Sequence, residues 1–339
     1  MKATMLYGAQ DVRYEDVPEP QIIEPTDAII RLSATCICGS DLWPYRGLQD
    51  IAQPMAMGHE YCGIVEQVGS AVTSVRPGQF VVGSFCLSDN TCPHCRFGFQ
   101  SSCERRAFMS GAQAPLARVP LADGTLVATA ELPPDDLIPS LLATSDVLGT
   151  GWYAAYAARV QQGCTTVVVG DGAVGLMAVL AAKQMGAGKI IAMSRHKARQ
   201  EMALEYGATH IVSERGEAGI AVVKELTGGV GADSVLECVG TKESMDQAMN
   251  CARPGGSIGF VGVPHGVEFD GAQLFFQQKN LLGGPAPVRR WLPHLIELVL
   301  ERKINPGKVF DLELPLADVA EGYKAMDERR AIKTLLRIS

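Results

Sequence analysis

A chain of 339 residues, 47 % hydrophobic and 20 % charged, carries enough apolar surface to bury the cores of two domains. Its formal net charge of −7 excludes a protein that tracks nucleic-acid phosphates through a basic face, and no apolar run approaches the length of a membrane span. The opening MKATMLYGAQDVRYEDVPEP breaks at Asp11 and Arg13, too early for a signal peptide, so the expected location is the cytoplasm, where the thiol pool keeps cysteines reduced.

In chain order, the segments DAIIRLSATCI, YCGIVEQVGSAV and GQFVVGSF are β-rich runs separated by turn residues and predict an all-β or barrel-like first domain. Residues 89–103, DNTCPHCRFGFQSSC, then set out Cys92, Cys95 and Cys103 at intervals that suit a wrapped metal ion. Three thiolates leave a tetrahedral site one ligand short, and Cys86, Asp89 and His94 all stand near enough in sequence to supply it. The more isolated Cys164, Cys238 and Cys251 read as small core residues.

Near residue 150 the texture changes. TTVVVGDGAVGLMAVLAAKQMGA is a buried strand, a glycine turn and a helix; KIIAMS, GADSVLECVG and GGSIGFVGVP repeat the strand theme, which predicts βαβ units on a parallel sheet. Beyond about residue 285, PVRRWLPHLIELVLERKI predicts an amphipathic helix. The tail FDLELPLADVAEGYKAMDERRAIKTLLRIS reads as strand, helix and strand, rejoining the first domain. The expected domains are therefore 1–149 with 286–339, and 150–285.

The turn Gly170-Asp171-Gly172-Ala173-Val174-Gly175 is a G-x-G-x-x-G between a β-branched strand and an apolar helix. In that context the first glycine permits the tight turn, the second lets the backbone approach a pyrophosphate, and the third lets helix pack on strand. Cys38 in CICGSD, His59-Glu60 in MGHEYCG and Asp146 in LLATSDVLGTGW are singly uninformative, since a lone cysteine is usually packing and a lone histidine usually a hydrogen-bonded neighbour.

Together these features resemble the zinc-dependent medium-chain alcohol dehydrogenases. The resemblance is carried by GHE followed by G-x-V-x-x-V-G, the C-x-S-D some twenty residues earlier, the cysteine cluster, the VVVGDGAVG turn and the PGG before a late strand. It implies an α/β protein: a β-rich GroES-like catalytic domain plus a doubly wound parallel-sheet Rossmann domain that binds a dinucleotide. It also implies that Cys38 and His59 are catalytic zinc ligands, that Glu60 is the acid able to bind or leave the metal, and that Asp146 takes the third position. Many members place a cysteine there, and an aspartate oxygen keeps the three-ligand, open arrangement of a catalytic zinc. Ser40 matches the first proton-relay hydroxyl and Asp41 the carboxylate that orients a ligating histidine.

Where several relatives carry a relay histidine, this chain has Trp43, which with Phe85 implies an apolar pocket wall. The family's structural-zinc lobe resembles C-x2-C-x2-C-x7-C, and the matching step back from Cys92 lands on Asp89, making it the expected fourth ligand ahead of Cys86 and His94.

The strand end at KIIAMSRHKARQ offers no acid of the kind that reads a ribose 2′-hydroxyl; Ser194, Arg195 and His196 stand there instead, with Lys197 and Arg199 behind. NADP(H) is therefore expected over NAD(H), because a guanidinium offers paired hydrogen bonds to a 2′-phosphate. The expected activity is a zinc-dependent alcohol dehydrogenase or ketone reductase acting on a small alcohol, aldehyde or ketone, as a homodimer or homotetramer, with neither nucleic acid nor membrane as partner. The alternatives are an NAD-dependent polyol, sugar or amino-alcohol dehydrogenase of the same superfamily, and a non-catalytic zinc-ribbon nucleotide sensor. An open zinc position would be of no use to the sensor.

Overall fold

The strand Ala28–Cys36 has its inward residues Ala28, Ile30 and Leu32 packed with Tyr61, Val65, Val81, Val119 and Leu126 into one core, while Arg31 points to solvent. That strand is the centre of a seven-stranded sheet in the computed structural model, which describes residues 1–338. Its neighbours run in the order Leu126–Ala128, Phe80–Gly83, Tyr61–Val68, Ala28–Cys36, Thr334–Arg337 and Leu312–Pro315, with Leu116–Val119 also paired to Ala28–Cys36. The pairings are antiparallel except that of the two C-terminal strands, so residues from both ends of the sequence complete one sheet. A small ribbon, Cys86–Leu87 against Ala107–Phe108, brackets the cysteine-rich segment.

The described residues divide into two units: Met1–Gly149 with the segment from Pro287 onward, and Thr150–Ala286. In the second unit, short runs of branched apolar residues form a six-stranded parallel sheet, which suits strands buried on both faces. Its order is His210–Val212, Lys189–Met193, Thr165–Val169, Ala232–Glu237, Ala252–Phe260, Asn280–Gly283. Counted in sequence this is 3-2-1-4-5-6, the doubly wound order whose direction reverses beside Thr165–Val169, where dinucleotides bind at the carboxyl ends of strands. The helix Ala173–Gln184 starts at that point, with Leu176, Met177, Val179 and Leu180 buried against the sheet.

Candidate functional site

Cys38 lies two residues beyond the strand Ala28–Cys36 and caps the single 3-10 turn Gly39–Asp41. The turn is held by Asp41, whose Oδ2 accepts from the Cys38 backbone N–H at 2.9 Å, and this leaves Asp41 Oδ1 3.4 Å from His59 Nδ1. His59 and Glu60 lead into the strand Tyr61–Val68 from Gly58, a residue at φ +93° whose absent Cβ leaves room for the backbone of Gln113. Asp146 comes from the turn between the helices Ile138–Ala143 and Val147–Ala157. Three separate elements thus deliver four donors whose ligand atoms all lie within 4.8 Å of one another: Cys38, His59, Glu60 and Asp146.

The separations fit a metal. Donors about 2.0–2.3 Å from a tetrahedral zinc stand about 3.3–3.8 Å from one another. His59 Nε2 is 3.2 Å and Cys38 Sγ 3.7 Å from Asp146 Oδ2. Burial disfavours an imidazolium at His59, but Asp41, Cys38 and Asp146 outweigh it and hold the ring's pKa well above its ordinary value, so the surroundings favour a positive charge at this point.

Glu60 is fully buried; its Oε1 takes an ion pair from Lys333 Nζ at 2.6 Å, and its Oε2 has no hydrogen-bond partner among the described residues. Lys333 also donates to the Ile37 carbonyl at 3.2 Å. Sequence reasoning passed over Lys333, although a lysine inside the apolar run AIKTLL was the available signal.

Of the other expected site residues, Ser40 is exposed in the 3-10 turn, two residues past Cys38. Phe85 meets the His59 ring edge-on at 6.1 Å between centroids and stacks on Phe108. Trp43 is half-buried in the one-turn helix Leu42–Tyr45.

In the cysteine lobe, Cys92 begins a short helix, Pro93–Arg96, with proline at its first position, and the turn brings Cys92 Sγ to 3.5 Å from Cys95 Sγ and 3.9 Å from Cys103 Sγ. These distances are far longer than a disulfide and match thiolates sharing one zinc. The backbone N–H groups of Asp89 and Arg105 donate to Cys103 Sγ at 3.4 and 3.3 Å. Asp89 joins the three cysteines as a fourth donor within the same 4.8 Å limit. Burial alone would raise its pKa, but the Thr91 and Cys92 N–H groups, with Cys103 and Cys95, outweigh it and bring the carboxyl to about 2. Cys86 and His94 fall outside the group: Cys86 is buried with its thiol pushed up to about 12 chiefly by desolvation, and His94 is exposed.

In the second unit, Gly170 turns at φ +120° and Gly172 caps the helix Ala173–Gln184, with Ala173 and Val174 in its first turn. A Cβ on Gly175 would run into the Gly170 carbonyl, so only glycine lets this helix approach the strand so closely. Such a turn directs helix N-terminal amides toward an anion and fits a dinucleotide pyrophosphate.

The neighbouring strand end differs from its sequence reading. Ser194 is buried and donates its hydroxyl to Asp171 Oδ2 at 2.8 Å, and Arg199 Nη1 lies 3.3 Å from Asp171 Oδ1. A carboxylate does stand at this place, contributed by the glycine turn. Arg195 is exposed, and His196 is half-buried with an Nε2 that has no hydrogen-bond partner among the described residues. Cys238, expected in the core, is half-buried just past the strand Ala232–Glu237, while Cys164 and Cys251 are buried.

Comparison with known proteins gives matches along the length of the chain. The alcohol dehydrogenase GroES-like domain model matches residues 24–168, and the zinc-binding dehydrogenase model residues 173–301. A probable zinc-binding alcohol dehydrogenase of Mycobacterium tuberculosis is 35 % identical over 331 residues, covering 95 % of this chain and 84 % of the relative. A probable D-xylulose reductase A of Aspergillus fumigatus is 33 % identical, covering 98 % and 95 %. The solved alcohol dehydrogenase of Thermus sp. ATN1 superposes with a TM-score of 0.92 at 31 % identity, over 100 % of both chains.

Proposed function

Because the chain belongs to the zinc-dependent medium-chain dehydrogenases, we propose that it interconverts a small alcohol and its aldehyde or ketone with NADP(H) preferred over NAD(H). The observation that carries this reading is the convergence of Cys38, His59, Glu60 and Asp146 from three elements within 4.8 Å. Cys38, His59 and Asp146 would hold the catalytic zinc, with Glu60 as an additional donor, and Asp89, Cys92, Cys95 and Cys103 a structural one. A zinc held by those residues would supply a Lewis acid for the substrate oxygen, and a bound nicotinamide would supply the hydride chemistry.

The chain's own residues do the rest. Asp41 anchors the His59 ring through Nδ1, which leaves Nε2 for the centre. Ser40 Oγ, exposed two residues from Cys38, carries the substrate hydroxyl proton toward solvent. Phe85, against His59, gives the centre an apolar side that favours unsubstituted alkyl or aryl substrates over sugars.

Family membership removes the zinc-ribbon sensor from consideration. The polyol reading keeps support from the D-xylulose reductase similarity, and substrate range distinguishes it.

The NADP(H) preference rests on Arg195 and Lys197, exposed at the start of the helix Lys197–Tyr206. Since the Ser194 hydroxyl is committed to Asp171, the preference is modest. The cytoplasm is the compartment we propose, consistent with ten cysteines none of which is in a disulfide. A second copy of this chain is the partner we propose, because Phe275 and Phe276 are 76 % and 80 % exposed just ahead of the edge strand Asn280–Gly283.

The test is metal analysis together with a panel of alcohols and ketones assayed with both cofactors. Two zincs per chain with turnover of simple ketones supports the reading. Turnover confined to polyols transfers it to the second reading, and loss of neither zinc nor activity in Cys38→Ser removes the mechanism.

A further inference from the structure

Asp171 occupies a variable position of the glycine turn, where no part of the phosphate-binding logic requires a charge. Nonetheless it is the most connected side chain of the turn. Ser194 Oγ donates to its Oδ2 at 2.8 Å, Arg199 Nη1 lies 3.3 Å from its Oδ1, and the same guanidinium nitrogen donates to its carbonyl oxygen at 3.2 Å. Asp171 and Arg199 keep only 13 % and 15 % of their side-chain surface.

The sheet explains the meeting. Thr165–Val169 and Lys189–Met193 are parallel neighbours with Val169 opposite Met193, so residues just beyond each strand emerge at one edge. In a dinucleotide-binding sheet that edge receives the adenosine ribose, and an acid there accepts from the 2′-hydroxyl and repels a 2′-phosphate.

We propose that Asp171 reads the ribose 2′ position: its carboxylate, delivered from the glycine turn, takes the place of the missing strand-end acid and restrains the 2′-phosphate preference that Arg195 and Lys197 create. This inference rests on the dehydrogenase reading and deepens it. Two features point the same way. The Ser194 hydroxyl, otherwise a phosphate donor, is turned to Asp171. Arg199 is paired and so withheld from a phosphate.

Asp171→Asn removes the charge while keeping the acceptor for Ser194; Asp171→Ala also frees Ser194; Arg199→Gln leaves the carboxylate uncompensated. The measurement is direct titration of NADPH and NADH into the zinc-loaded protein by calorimetry, which reads binding independently of turnover. In Asp171→Asn the ratio of Kd for NADH to Kd for NADPH should rise about tenfold, the effect of removing one partly buried like charge. It should rise further in Asp171→Ala and fall below the parent value in Arg199→Gln. A ratio unchanged in Asp171→Asn, with both nucleotides still bound, overturns the role of Asp171 and leaves the dehydrogenase reading standing. Binding of neither nucleotide by the parent overturns both.

Discussion

Lys333→Met tests how the catalytic centre is supported from behind. Nζ of Lys333 and Oε1 of Glu60 are 2.6 Å apart, and their side chains keep 1 % and 0 % of their surface. At that distance the attraction in an effective dielectric of about 20 is on the order of 6 kcal/mol, and dehydration of both ions offsets most of it. The pair's net contribution is therefore small, but the cost of halving it is not. Methionine fills the same volume and leaves Glu60 buried with neither oxygen carrying a cation partner, since Oε2 has no hydrogen bond among the described residues.

Truncation of one member of a buried pair costs about 3–5 kcal/mol. At about 2 °C per kcal/mol for a chain of this size, Tm should fall by about 6–10 °C. Scanning calorimetry of the protein stripped of zinc, in which no metal can stand in for the ammonium beside Glu60, measures it. Lys333→Met with Glu60→Gln should recover more than half of the loss, because the stranded charge is gone. A single variant whose Tm lies within about 1 °C of the parent, or a double variant no more stable than the single, refutes the reasoning.

Cys38→Ser and His59→Ala should each reduce kcat by about 10³-fold or more while circular dichroism and nucleotide binding stay unchanged, since the ligands serve the chemistry and not the fold. Asp89→Ala should lower the zinc content from about two to about one per chain and reduce Tm with little effect on KM; a variant that keeps both metals shows that another group closes the site. Asp123 accepts from the backbone and hydroxyls of Thr73 and Ser74, and these bonds outweigh burial to hold its carboxyl below the ordinary 3.8. Because the folded pKa is depressed, its contribution is present above 3.8 and is lost as pH falls through the folded value. Asp123→Asn should accordingly be less stable than the parent at neutral pH, with the gap closing below that window, as read by urea unfolding across pH.

The parallel sheet was legible because strands buried on both faces leave a dense one-dimensional record: branched apolar runs followed by glycine. TTVVV, KIIAM and ADSVLE all fall in strands for that reason. The members of the two clusters that could hold a metal ion were legible as residue types at spacings resembling the family's, which is how Asp89 and Asp146 entered the reading. Electrostatic pairing across the fold leaves no such record. Glu60 and Lys333 are 273 positions apart, and only the C-terminal strand Thr334–Arg337, laid against Ala28–Cys36, brings the ammonium beneath the centre.

The same gap accounts for the cofactor site. Reading along the second strand, Ser194 and Arg195 argue for a 2′-phosphate because no acid follows within the strand's own sequence. Reading across the sheet, the adjacent strand brings Asp171 to Ser194, 23 positions away, and the hydroxyl counted as a phosphate donor faces a carboxylate instead. Cofactor choice in such a sheet depends on the charge summed over two neighbouring strand ends. Here that sum contains Asp171 and Arg199 as a neutral pair and Arg195 and Lys197 as the exposed excess, which is why Asp171→Asn and Arg199→Gln are expected to move the ratio of cofactor affinities in opposite directions.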